Sequence, residues 1–138
     1  MKGKTIKEIS KGQKEFIQKT ISESDVYLYA GITGDLNPAH VNHEVAKDSL
    51  FKERIAHGML TAGLISAVLG MHLPGPGTIY LGQELKFTAP VKIGDTIKAE
   101  VEVVEKKEEK NILKLKTTGT NQDGKVVLDG IATVMPPK

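Results

Sequence analysis

The segment at residues 57–72, HGMLTAGLISAVLGMH, constrains the fold more than any other part of the chain, because it is apolar on almost every side. A helix of this composition is typically buried on all of its faces. Ala62, Ser66 and Gly70 are spaced by four and predict a smooth stripe that a sheet or a second backbone can approach closely. The sequence PGPG at 74–77 ends the helix. The rest of the chain must therefore surround one central helix.

The residues after this helix have the pattern of strands separated by turn signals. We predict strands at 78–87, 96–105, 112–120 and 126–135, with turns at 90–95, 106–111 and 121–124. The sequence TIKAEVEVVE alternates apolar and polar residues with a period of two, which is typical of a strand with one buried face. The second half of the chain is therefore expected to form an antiparallel sheet.

The first half of the chain is predicted to be mainly helical. We expect a strand at 15–21, a helix at 23–32, a loop at 34–42 and a brief helix at 43–50. Ser22 and Asp25 form a capping-box pattern at the start of the first helix, and Gly34 marks its end. Helices followed by strands indicate the α+β class, with the sheet packed against the long helix.

Length and composition suit a single domain over residues 1–138. The 138 residues are enough for one hydrophobic core. A formal charge of +2 is too balanced for a nucleic-acid partner. The lack of cysteine excludes disulfides, thiolate metal sites and thiol nucleophiles. No apolar run resembles a signal peptide or a membrane span, so we expect a cytoplasmic protein without a membrane partner.

The sequence GDLNPAH concentrates residues that can carry chemistry. Gly34 can adopt a positive φ, Pro38 stiffens the backbone, and Asn37 can hydrogen-bond to nearby main chain. Asp35 and His40 then present one carboxylate and one imidazole on a rigid loop, which can hold a water for general acid–base catalysis. A Gly-Asp-x-Asn-Pro run is equally typical of a plain turn, in which Asp35 follows a helix or closes an Asx-turn.

A second candidate lies at the start of the long helix. The amides of Gly58 and Met59 can face an anion or a developing oxyanion, although Gly58 can equally serve only close packing. His57 is expected to cap or hydrogen-bond, and His43 and His72 are expected at the surface or at helix ends. We expect no metal site, because no two histidines have the helical i, i+4 spacing and the loop offers no third ligand.

The run at 29–42, YAGITGDLNPAHVN, resembles the hydratase motif of the MaoC-like family. In that pattern, an aromatic residue and small residues precede Gly-Asp-x-Asn-Pro-x-His. The resemblance continues through IAHGML at 55–60, IYLG at 79–82, LKFTAPV at 85–91 and the Gly-Asp turn at 94–95. It spans nearly the whole chain, and within the family the chain is similar to short bacterial (R)-specific enoyl-CoA hydratases.

This resemblance implies a hot-dog fold, in which an antiparallel sheet wraps round the long helix, and a homodimer. It implies reversible hydration of a trans-2-enoyl-CoA to a (3R)-3-hydroxyacyl-CoA, with no cofactor because CoA is part of the substrate. Asp35 and His40 match the catalytic pair, and Gly58 matches the residue whose amide stabilises the oxyanion. Substrate contacts are expected at Asn37, Met59, Gly63, Leu64, Tyr80 and Leu81.

Two other functions stay open at the level of sequence. A hot-dog thioesterase would direct water at the thioester carbonyl instead of at C3. A non-catalytic module would bind acyl thioesters without turnover. The Asp35 and His40 pair favours hydration over both, and it leaves open which of the two residues is formally the base.

Overall fold

An antiparallel sheet of five strands packs round one long helix in the computed structural model, which describes residues 1–138. The elements are β1 Lys14–Thr20, α1 Glu23–Thr33, α2 Pro38–Val41, α3 His43–Ala46, α4 Gly58–Met71, β2 Ile79–Phe87, β3 Thr96–Lys107, β4 Ile112–Thr120 and β5 Val126–Met135. The strands lie in the order β1-β3-β4-β5-β2, so β1 and β2 are the edges of the sheet. No helix is both long enough and apolar enough to cross a bilayer.

Strand β3 shows how the sequence builds the core. Its apolar residues Ile97, Ala99, Val101 and Val103 are buried and alternate with partly exposed residues, as the period of a strand requires. They belong to the same hydrophobic cluster as the buried side of α4. The central strands β3, β4 and β5 therefore follow from one condition, which is that each presents buried apolar residues to the core.

Helix α4 is buried on one side only. Ile65 and Leu69 are completely enclosed, whereas Met59 is 58% exposed and Gly63 and Ser66 also lie on the open side. The prediction of a helix buried on all faces is therefore wrong for the single chain. The physical reason is that one sheet contacts only one side of a helix, and the other side needs a different cover.

The capping box at the start of α1 is confirmed. The Asp25 amide donates to the Ser22 hydroxyl at 3.1 Å, and the Ser22 amide donates to the Asp25 carboxylate at 2.9 Å. These bonds and the nearby Lys19 hold the pKa of Asp25 below its ordinary value. Gly34 ends the helix in the left-handed region, with φ of 82°, as predicted.

Two predicted bounds are wrong between α1 and α4. The expected loop at 34–42 contains the short helix α2, because Asn37 caps it by accepting a bond from the Ala39 amide at 3.0 Å. The expected helix at 43–50 is reduced to α3, His43–Ala46. There the Ser49 hydroxyl donates to the Ala46 carbonyl at 2.6 Å, which gives that carbonyl a side-chain partner just beyond the end of the helix.

Candidate active site

Asp35 directly follows the left-handed Gly34 and is exposed. One of its carboxylate oxygens accepts a bond from the Asn37 amide at 3.3 Å, which is the Asx-turn that the sequence allowed. Its own amide donates to the Thr33 hydroxyl at 3.1 Å. Asp35 also lines a cavity, so its role in the turn does not exclude the functional interpretation.

His40 lies on α2 and is half-buried. Its Nδ1 is 2.7 Å from the main-chain oxygen of Ile55. Because a carbonyl only accepts hydrogen bonds, Nδ1 must carry the proton, and the neutral ring then has its lone pair on Nε2. His40 is therefore held in the tautomer that offers Nε2 as a hydrogen-bond acceptor.

The segment that orients His40 is itself tied to two helices. The Ile55 amide donates to the Ala39 carbonyl at 3.1 Å, which joins the segment to α2. The preceding Arg54 donates to the Glu23 carboxylate at 2.8 Å and to the Tyr27 hydroxyl at 2.7 Å, both on α1. The Tyr27 and Arg54 bonds lower the pKa of Glu23. The acceptor for His40 is thus fixed relative to the helix that leads into Asp35.

His57 joins Asp35 and His40 in the fold. One nitrogen or oxygen atom from each of the three side chains lies within 4.8 Å of the others. His57 is buried at the start of α4, and its Nε2 is 2.9 Å from the main-chain oxygen of Asp35. Its ring stacks on that of His40, with centroids 3.8 Å apart, and contacts Tyr29 at 4.7 Å. The prediction that His57 hydrogen-bonds is confirmed, although its side chain does not cap the helix.

The loop itself offers no third ligand, but tertiary structure brings His57 of α4 beside it. The stacking nevertheless gives a poor metal site. Imidazole lone pairs lie in the plane of the ring, and these two rings are only 28° from parallel. Nearly parallel planes do not meet within the roughly 2 Å bond length that a metal requires from both nitrogens.

The cavity has a volume of about 520 Å³ and a mainly apolar wall. Asp35, His40 and His57 line it together with Gly58 and Met59. Further apolar walls come from distant parts of the chain, namely Phe51, Phe87, Val127 and Leu128. Sequence reasoning missed these four residues. Phe87 lies in one of the motif blocks, but strand alternation alone does not distinguish Val127 and Leu128 from other core residues.

Gly58 is the first residue of α4, and amides at that position have no acceptor within the helix. A Cβ atom on Gly58 would lie 2.9 Å from the ring of Phe87 on β2. The absence of a side chain therefore serves close helix–sheet packing, as one interpretation of the sequence required. It also leaves the first amides of α4 beside the cavity, as the other interpretation required.

The other predicted substrate contacts lie outside this cavity wall. Asn37 caps α2, and Leu64 is part of the core. Gly63, Tyr80 and Leu81 are on the surface of the single chain. Partial burial of the Tyr80 side chain, whose hydroxyl bonds to Gln83, raises its pKa. His43 and His72 are exposed at helix ends, as predicted.

The fold and the site together define a class of protein. A sheet packed round one helix carries a carboxylate, an imidazole and helix-start amides on one mainly apolar cavity. Residues 5–125 match the family model described as a MaoC like domain. The chain belongs to the MaoC-like family, which confirms the resemblance found in the sequence, and its fold is the hot-dog fold of the α+β class.

Individual relatives agree over almost the full length. The chain is 58% identical over 130 residues to an (R)-specific enoyl-CoA hydratase of Rhodospirillum rubrum, covering 94% of this chain and 90% of that protein. It is 51% identical to a 3-hydroxybutyryl-CoA dehydratase of Methylorubrum extorquens, covering 92% and 80%. An unliganded R-hydratase from Pseudomonas aeruginosa superposes with a TM-score of 0.94 at 49% identity, covering 99% and 87%.

Proposed function

We propose that this protein adds water reversibly to a trans-2-enoyl-CoA and forms a (3R)-3-hydroxyacyl-CoA. The observation that carries the proposal is the spacing of Asp35 and His40. One carboxylate oxygen of Asp35 and one ring nitrogen of His40 lie within 4.8 Å of each other. Two hydrogen bonds of about 2.8 Å that meet at one water span roughly 4.6 Å at a tetrahedral angle. The pair is therefore spaced to hold a single water molecule, and the names of the relatives support the same reaction.

In the proposed mechanism, Asp35 and His40 both bind that water beside C3 of the substrate. One O–H bond of the water breaks as the C3–O bond forms, and one of the two side chains takes that proton. The protonated side chain then delivers the proton to C2, where the electron pair of the former double bond forms the C2–H bond, and the starting state is restored. Because Nδ1 of His40 donates to Ile55, the acceptor offered to the water is Nε2. Either Asp35 or His40 can act formally as the base in this scheme.

Negative charge develops on the thioester oxygen as the new bond forms. The amide of Gly58 is the proposed donor to that oxygen, because it lies at the start of α4 and beside the cavity. The positive end of the helix dipole stabilises the same charge. The mainly apolar wall strengthens these interactions by excluding water. No cofactor is needed in this scheme, since CoA is part of the substrate.

The acyl chain is proposed to enter the apolar part of the cavity beside Met59, Phe87 and Leu128. Contacts at Asn37, Gly63, Leu64, Tyr80 and Leu81 stay predictions, because these residues lie beyond that wall. A chain long enough to leave the cavity, or an approach by a second copy, would bring substrate to them.

The protein is proposed to act as a homodimer. The edge strand β2 exposes Ile79, Tyr80 and Leu81, which are 55%, 39% and 49% exposed. The open side of α4 adds Met59 and Met71, both more than half exposed. Apolar surface and an unpaired sheet edge of this kind are typically covered by another chain.

A cytoplasmic location and the absence of nucleic-acid and membrane partners likewise stay predictions.

Turnover of crotonyl-CoA with simultaneous detection of free thiol tests the proposed function. Hydration consumes the conjugated double bond and releases no thiol. A thioesterase would release CoA and leave the double bond intact, and a binding module would do neither. We expect loss of the enoyl absorbance without thiol, and thiol release at the same rate as substrate loss would contradict the proposal.

A further inference from the structure

His57 contacts both members of the proposed catalytic pair and is only 2% exposed. Its Nε2 lies 2.9 Å from the main-chain oxygen of Asp35, and its ring stacks on His40 at 3.8 Å. Because the carbonyl accepts, Nε2 must be the protonated nitrogen. Nδ1 is buried and has no hydrogen-bond partner in the chain. The His57 ring therefore donates one hydrogen bond to Asp35 and packs one face against His40.

We propose that His57 is a positioning residue, which sets the spacing between Asp35 and His40. This inference rests on the proposed function, in which that pair binds one water. Asp35 is exposed, and its bonds with Thr33 and Asn37 lie within its own loop, so they do not fix that loop relative to α4. The bond from His57 ties the main chain of Asp35 to the first turn of α4, where the Gly58 amide also lies. The water site and the oxyanion donor are then held by one element.

The stacking contact acts on the other member of the pair. The bond from Nδ1 to Ile55 restrains one edge of the His40 ring and leaves the tilt of its plane less restrained. A flat ring packed at 3.8 Å and 28° removes this freedom, because rotation would drive one ring into the other. Tyr29 contacts His57 in turn at 4.7 Å. The direction in which Nε2 of His40 points is thus fixed by His57.

The two contacts can be removed separately with a matched pair of variants. His57→Phe keeps a flat ring for stacking and loses the donor to Asp35. His57→Gln keeps an amide donor of similar reach and loses the aromatic face. A misplacement of about 1 Å can cost roughly 10²-fold in rate. We expect kcat on crotonyl-CoA to fall at least about 10-fold in each variant, with KM changed by less than about threefold. His57→Ala, which loses both contacts, should be slower than either.

A double variant separates positioning from a purely structural role. If His57 acts through Asp35, the effect of His57→Phe should shrink to less than about threefold in an Asp35→Asn background. Thermal unfolding of every variant measures the folded fraction and corrects the rates. An undiminished loss in the double variant, a KM effect without a kcat effect, or normal kcat in His57→Phe would overturn the inference.

A different result would overturn the proposed function, namely normal turnover of crotonyl-CoA by the single variant Asp35→Asn. Failure of the positioning inference and failure of the proposed function can therefore be distinguished.

A measurement on the unaltered protein covers the case in which the variants do not fold. Long-range ¹H–¹⁵N spectra of histidine side chains distinguish the two ring tautomers. We expect His57 protonated on Nε2 and His40 protonated on Nδ1. The opposite tautomer on His57 would overturn the inference without any substitution.

Discussion

At the scale of single residues, the site depends on side chains whose polar atoms are already partly engaged. Asp35 uses one oxygen in a turn and His40 uses Nδ1 on a carbonyl, so each has one remaining acceptor, and the contacts of His57 restrain both residues further. The motif GDLNPAH predicted both residues because their types and spacing are local properties. The contact with His57 could not be predicted, because it depends on where α4 begins relative to a loop 22 residues earlier.

Removal of either member of the pair should stop catalysis while the fold is retained. Asp35→Asn and His40→Ala should each lower kcat on crotonyl-CoA by at least about 10²-fold, since each loses a bond to the reacting water. The double variant should fall far short of the product of the two losses, because both act on one water. Steady-state rates with parallel unfolding curves provide the measurement, and near-normal turnover in either single variant would refute the assignment.

Two buried threonines differ in one respect that can be measured. The Thr61 hydroxyl has no partner, whereas the Thr117 hydroxyl accepts a bond from the Gln83 side chain at 3.0 Å. Thr61→Val should therefore leave the free energy of unfolding unchanged or raise it by up to about 1 kcal/mol. Thr117→Val should lower it by about 1–2 kcal/mol, because the Gln83 side-chain amide loses one of its two acceptors. Equal losses in denaturant titrations of the two variants would contradict this account.

At the scale of elements, the bounds of long helices and strands were predicted from the sequence more accurately than those of short ones. The strand β3 could be predicted because its alternation is imposed by the buried face over many residues. The helices α2 and α3 could not be bounded, because four residues carry too little periodicity and local caps at Asn37 and Asn42 decide them. The length of α4 was predicted, but its open side was not. The sequence shows that a side chain is apolar. It does not show whether the sheet of the same chain or a second chain covers that side chain.

A close backbone approach between β2 and β5 gives a prediction for the sheet. A Cβ atom on Gly130 would lie 1.8 Å from the main-chain oxygen of Glu84, which cannot move without breaking strand pairing. Gly130→Ala should therefore destabilise the fold by about 1–3 kcal/mol. Gly31 in α1 is the matched control, because a Cβ there meets nothing within 4 Å. Gly31→Ala should stabilise by about 0.5–1 kcal/mol. Calorimetry that shows no difference between them would contradict the packing argument.

At the scale of the whole molecule, the fold leaves apolar surface that a single chain does not cover. The edge strand β2 and the open side of α4 both expose large apolar side chains, among them Leu81 and Met59. Sequence alone predicted association from the family resemblance, and the exposed surface supplies a physical reason for it. The same surface contains Gly63, Tyr80 and Leu81, which were predicted as substrate contacts and lie outside the cavity of one chain.

Sedimentation in solution tests the association directly. We expect a dimer at micromolar concentration, because burial of the exposed side chains of β2 and α4 offsets the entropy lost on association. A charged substitution on this surface, Leu81→Lys, should shift the equilibrium towards monomer. The same charge added by Gln18→Lys on β1, the opposite edge of the sheet, should not. A monodisperse and fully active monomer would contradict the prediction.

Water is expected to add to C3 of the substrate and not to the thioester carbonyl. The most direct measurement is turnover of crotonyl-CoA in ¹⁸O-labelled water, followed by chiral separation and mass analysis of the product. We predict one ¹⁸O atom in the C3 hydroxyl of (3R)-3-hydroxybutyryl-CoA, with the thioester intact. Label in the carboxylate of a free acid, or a C3 hydroxyl of the S configuration, would contradict the claim.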